Sequence, residues 1–112
     1  MKPIKQKLGQ LTEHYVIQLL KAKGLKFIQQ NYYCRLGEID IIMQDKETLV
    51  FIEVRLRTST DYHSALESID TQKQQKLTKT AEYYLQSHGL TDKVPCRFDV
   101  VTIDWMRNVI EG

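Results

Sequence analysis

Residues 49–56 read Leu49-Val50-Phe51-Ile52-Glu53-Val54-Arg55-Leu56, the most strand-like stretch of the chain. β-Branched and aromatic residues of this kind suit a pleated, packed surface. Apolar residues on both sides of its first half mark a strand buried on both faces. Period-two alternation puts Phe51, Glu53, Arg55 and Arg57 on one side, and Val50, Ile52 and Val54 on the other. The fold is therefore built around this strand, and its charge at Glu53 requires a partner.

Upstream, the polar residues Gln44 to Thr48 form a hairpin connection to a short apolar run, Glu38 to Met43, interrupted by acids at Glu38 and Asp40. Leu36-Gly37 marks a turn, and the aromatic-rich Phe27 to Cys34 reads as a strand that begins or edges the sheet. Before it, Leu8, Leu11, Tyr15, Leu19 and Leu20 recur at steps of mostly three and four, which predicts a helix over 7–23 with these residues as its apolar face. Gly24 supplies its stop.

Downstream, Arg57 to Tyr62 is a polar loop, and Ser64 to Ile69 is expected to make a short helical turn. A second helix follows over 71–87, with Leu77, Ala81, Tyr84 and Leu85 on one side and Lys73, Lys76 and Lys79 along a ridge elsewhere. His88-Gly89 ends it, and Arg97 to Ile103 reads as a last strand. Asp104 onward is a tail. The first three strands are expected to form an antiparallel meander, whereas the last returns after a crossover long enough for parallel pairing. The expected fold class is α/β, a mixed sheet flanked by helices, with residues 1–112 as a single domain and 105–112 as its tail.

Composition agrees with this reading. The 112 residues are 42% hydrophobic and 27% charged, the balance of an ordinary globular protein. The formal net charge is only +2, so affinity for nucleic acid has to come from a local patch. Cys34 and Cys96 lie in none of the paired spacings of zinc or redox motifs and are expected to be buried reduced thiols. No apolar run reaches bilayer length and the N-terminus has no signal-peptide pattern, so the expectation is a cytoplasmic protein with no membrane partner.

The informative residues are the acids inside the strands. Asp40 sits between Ile39 and Ile41-Ile42, Glu53 between Ile52 and Val54, and Glu38, Asp40 and Ile42 are expected to share a face. Antiparallel pairing of the two strands would bring Asp40 and Glu53 together. Two close buried carboxylates repel unless a cation, proton or metal intervenes. Spacing leaves two readings open. One is a salt bridge in which Arg55 or Arg57 neutralises the acids. The other is a hard divalent cation such as Mg²⁺, which one or two carboxylates hold before phosphate oxygens complete its shell. Asp40, Glu53 and the carbonyl of Val54 would suit that ion.

Several pieces in order carry a resemblance: Gly9 with Glu13, Asn31, Gly37-Glu38-Ile39-Asp40, Val50-Phe51-Ile52-Glu53-Val54, Arg57, Lys73, Ala81 and Arg97-Phe98-Asp99-Val100-Val101. They resemble the bacterial YraN-type proteins, related to PD-(D/E)xK nucleases and similar to archaeal Holliday-junction resolvases. The resemblance implies a restriction-endonuclease-like α-β-β-β-α-β core. It also implies that Asp40 and Glu53 bind Mg²⁺ or Mn²⁺ and that Glu13, otherwise read as a solvated helix residue, joins them. Hydrolysis of DNA phosphodiesters is the implied chemistry; since nothing in the sequence looks like a recognition helix or a base-stacking platform, structure-selective or nonspecific binding is expected rather than sequence-specific binding, and a homodimer would supply the two sites that symmetric cuts need.

One position departs from the pattern. The nuclease motif ends in lysine two residues after its second acid, and Arg55 stands there instead. A guanidinium stays protonated and cannot act as a base, although it can hold phosphate. The alternative reading is thus a binding module of the same fold with weak or no turnover. Arg57, Lys73, Gln74 and Lys76 are the candidate nucleic-acid contacts, Lys73 and Gln74 by position in the family.

Overall fold

The computed structural model describes residues 4–57 and 69–104. Its elements follow the predicted order: α1 (Ile4–Ala22), β1 (Lys26–Cys34), β2 (Gly37–Asp45), β3 (Thr48–Arg57), α2 (Thr71–Ser87) and β4 (Cys96–Asp104). The expected loop after Arg57, most of the short helical turn before Ile69, and the tail 105–112 lie outside the described residues. β2 and β3 run further toward each other than the polar composition of residues 44–48 suggested. Their pairing continues to Asp45 opposite Thr48.

The sheet has the order β1-β2-β3-β4. β1 pairs antiparallel with β2, β2 antiparallel with β3, and β3 parallel with β4. Hairpin turns suffice for the first two pairings; the parallel one needs the crossover that contains α2. This is the α-β-β-β-α-β arrangement expected of the sequence.

β3 is buried on both faces, as its composition requires. Val50 and Ile52 join Ile41, Met43, Val16 and Ile17 in the core under α1. Leu49 and Phe51 join Ile39, Ile42, Leu77 and Tyr84 in the core under α2. Ile69, just before α2, is buried in that second core. Among the described residues, no helix is long and apolar enough to cross a membrane.

Three expectations fail, each for a local reason. First, Ile42 does not share a face with Asp40 in a regular strand. Ile39 and Ile42 pack under α2, whereas Ile41 packs under α1, so the alternation inverts across Asp40. Asn31 faces this point in the β1–β2 register with a left-handed φ of 54°, a conformation asparagine tolerates better than most residues. Second, α1 turns Val16 and Ile17 inward, while Leu11 and Tyr15 are 66% and 60% exposed and Leu19 is exposed as well. Third, the free cysteines are not buried: Cys34 is intermediate and Cys96, on the outer strand of the sheet, is exposed.

α2 begins at Asp70, whose carboxylate accepts a hydrogen bond from the Lys73 N–H at 2.8 Å. A cap of this kind satisfies a donor the helix leaves open. The helix presses close to the start of β2. A Cβ on Gly37 would stand 2.8 Å from Thr80 Oγ1, and the φ of 153° there favours glycine as well. That close approach sets α2, and with it Lys73, over the end of β3.

Candidate metal and phosphate site

The β2–β3 ladder runs from Asp45 and Thr48 to Ile41 and Ile52. One residue further, the Asp40 side chain takes the place of a main-chain partner: the Val54 N–H donates to its Oδ2 at 2.8 Å. In a strand, the N–H and C=O of one residue leave on the same edge. The Val54 carbonyl therefore faces the seam that Asp40 occupies. The kink that inverts the alternation of β2 is thus also what sends this carboxylate into the plane of the sheet.

Glu53 is the adjoining acid. Its side chain is only 8% exposed, with Lys73 Nζ at 3.5 Å and Arg55 Nη2 at 3.7 Å from its Oε1. Burial and then the charge of Asp40, which lies within hydrogen-bonding reach, push its pKa from 4.5 up to about 7. Lys73 and Arg55 pull it back down, and lose. Their distances explain why, since strong charge-assisted contacts are nearer 2.7–2.9 Å. Two carboxylates thus face two cations, at distances too long to hold the buried Glu53 fully charged. Arg55 Nε is buried without a hydrogen-bond partner among the described residues.

Glu13 comes in from α1. The Gln30 amide donates to its Oε1 at 3.1 Å. Burial raises its pKa most, Gln30 and Asn31 oppose the rise through hydrogen bonds, and the charges of Asp40 and Glu38 add to it. The exposed Tyr33 phenol is likewise raised, first by Glu38, with Glu13 and Asp40 contributing. Glu13 from α1, Glu38 and Asp40 from β2 and Glu53 from β3 therefore lie close enough for their charges to act on one another or on shared neighbours.

Among the described residues, no three His, Cys, Asp or Glu side chains close into a ready metal cage. The donor set is a smaller one: two adjoining carboxylates and a main-chain carbonyl on the same seam. Those are hard oxygen ligands, in the number Mg²⁺ takes from a protein before water and phosphate complete its octahedron. The pKa of Glu53 is raised first by burial and then by the charge of Asp40, and a divalent ion would offset the second. The residues present fit the ion, with Glu13 placed at the edge of the group rather than inside it.

The remaining candidates divide. Lys73 turns inward to Glu53, whereas Lys76 and Lys79 stay on the exposed side of α2. The Gln74 amide donates to the Ile69 carbonyl at 3.0 Å, tying down the approach to α2. The side chain of Arg57 lies outside what the structure describes. The sequence reading missed Gln30 and Tyr33 and gave Asn31 no role at the site. Nothing in a polar and aromatic edge strand singles them out before its register with β2 is known.

The model of one protein family, described as uncharacterised protein family UPF0102, matches residues 12–103. A UPF0102 protein of Stutzerimonas stutzeri is 45% identical over 116 residues, covering 96% of this chain and 97% of its own. One from Nitrosococcus oceani is 50% identical over 95 residues, covering 85% and 77%, and one from Coxiella burnetii is 44% identical over 112 residues, covering 95% and 93%. The match takes in the second half of α1, the whole of β1, β2, β3 and α2, and all but the last residue of β4, with Glu13, Asp40 and Glu53 inside it, and on that ground the chain belongs to the UPF0102 family.

Proposed function

We propose that the chain is a metal-dependent nuclease that hydrolyses DNA phosphodiesters at the Asp40–Glu53 pair. The observation that carries the proposal is the setting of Glu53, buried between the Asp40 carboxylate and Lys73 Nζ at 3.5 Å. Arg55 stands where the motif expects lysine, and Lys73 brings an ammonium to the same acid from α2. An ammonium can give up a proton, and the amine it leaves can take one back, where a guanidinium stays protonated. Asp40, Glu53 and the Val54 carbonyl would hold Mg²⁺ or Mn²⁺, which when bound lowers the pKa of a coordinated water and offsets charge on the phosphate.

The chain's own groups do the rest. Lys73 orients the attacking water and stabilises charge as it develops, and Arg55, whose side chain is partly exposed, holds a phosphate oxygen. Glu13 fixes Gln30 at the rim. Lys76 and Lys79 extend a positive strip along α2 for the neighbouring phosphates.

The test is cleavage of labelled linear and four-way-junction DNA by the wild type, Glu53→Ala and Lys73→Ala, with Mn²⁺, Mg²⁺ or a chelator. Cutting is expected to require metal, to vanish in Glu53→Ala and to fall about 10²-fold or more in Lys73→Ala. Cutting in chelator, or by Glu53→Ala, would contradict the proposal. The second reading, a binding module, is favoured by the arginine at position 55. It predicts metal-independent DNA retention and no cutting by any variant.

A further inference from the structure

Lys73 holds a place that local forces disfavour. It lies three residues inside α2 from the Asp70 cap, in a first turn that carries no acid. The start of a helix is the positive end of its backbone dipole, so an ammonium there is unfavourable. Fixing its long stem costs side-chain entropy as well. What holds Lys73 is Glu53, whose Oε1 stands 3.5 Å from Nζ.

The hold is loose and has an exit. Charge-assisted contacts of full strength are about 2.7–2.9 Å long. The Lys73 side chain is 34% exposed, although that of Glu53 beneath it is only 8% exposed. Arg55, the other cation on Glu53 at 3.7 Å, is anchored by comparison, since its Nε is buried. A lysine carries a compact ammonium on a flexible four-carbon stem and can swing away with its backbone unmoved. The cap keeps that backbone in place, because the Lys73 N–H donates to Asp70 Oδ1 at 2.8 Å.

The charge count decides when it swings. Asp40 and Glu53 face two side-chain cations, so a divalent ion at the pair leaves positive charge in excess. Lys73, flexible and partly exposed, is the cation that gives way, and a substrate phosphate is then its better partner.

We infer that Lys73 stands in for the divalent ion: it sits on Glu53 in the metal-free protein and is released to the substrate phosphate when the ion binds, so that only the loaded site grips DNA in full. The inference rests on the nuclease reading and gives its site a regulation. Lys76 and Lys79, exposed along α2, bind phosphate in either state.

Fluorescence anisotropy with a labelled duplex, in chelator and with Ca²⁺ in place of Mg²⁺, tests it without turnover, and calorimetry follows Ca²⁺ loading. The quantity is the slope of log K against log salt, to which each neutralised phosphate contributes about 0.9. In chelator the wild type and Lys73→Ala are expected to share one slope. With Ca²⁺ the wild type is expected to be steeper than Lys73→Ala by about 0.9. Lys79→Ala, the control, is expected to be shallower than the wild type in both conditions. With Ca²⁺ bound, a Lys73→Ala slope that falls short of the wild type equally in both conditions, or matches it in both, would overturn the release of Lys73 and leave the nuclease reading standing. No saturable Ca²⁺ heat, or no binding of the duplex by the wild type in either condition, would overturn both.

Discussion

Glu53 is where opposing energies are most evenly matched. Burial and Asp40 favour its proton, Lys73 and Arg55 favour its charge, and the balance settles with a pKa of about 7. In the unfolded chain this carboxyl titrates near 4.5. Between those values the folded state binds more protons than the unfolded one, so stability falls as pH rises through the window. Below pH 4.5 the cost is absent, and above 7 it is full, on the order of 3 kcal/mol for so buried a group. Urea denaturation in chelator is expected to show this slope in the wild type, and Glu53→Gln is expected to flatten it and to be the more stable protein at pH 8. An unchanged slope in Glu53→Gln would place the titration elsewhere.

At the scale of elements, α1 makes the sharpest prediction. Its buried row is Val16 and Ile17, while Leu11 and Tyr15 face outward. Ile17→Ala is expected to cost about 2–4 kcal/mol in urea denaturation, against less than about 0.5 for Leu11→Ala. The reverse order would mean that the helix is rotated. This face was not legible in the sequence, because α1 carries two apolar rows and a period of 3.6 admits either. The choice is made by Ile41, Met43, Val50 and Ile52 beneath it. The bounds of α2 were legible from its apolar row and from His88-Gly89, which closes it, whereas the cap at Asp70 shows only in the structure. Asp40 and Glu53 were legible as a pair because charges interrupt strands that are otherwise apolar. The company they keep was not. Lys73 lay in a row with Lys76 and Lys79, and only the packing of α2 turns it inward. Gln30, Asn31 and Tyr33 reach the site through a kink that no local pattern announces.

For the whole molecule, the net charge of +2 limits long-range attraction to DNA. Binding then depends on few contacts, and the proposed path uses four: Arg55 and Lys73 at Glu53, and Lys76 and Lys79 exposed along α2. Four neutralised phosphates correspond to a slope of about −3.6 in log K against log salt. Lys76→Ala and Lys79→Ala are each expected to reduce that slope by about 1, measured by anisotropy at several salt concentrations. A slope unmoved by both would take the phosphate path away from α2.

The central claim is that Asp40 and Glu53 share a divalent ion, and calorimetric titration of Mn²⁺ into metal-free protein at pH 7 tests it most directly. Because Glu53 is about half protonated there, binding is expected to release about half a proton, seen as a dependence of the heat on the ionisation enthalpy of the buffer. One ion per chain, with that proton release, and loss of binding in both Asp40→Asn and Glu53→Gln, is the predicted result. Saturable binding that both variants retain, or no binding by the wild type, would contradict it.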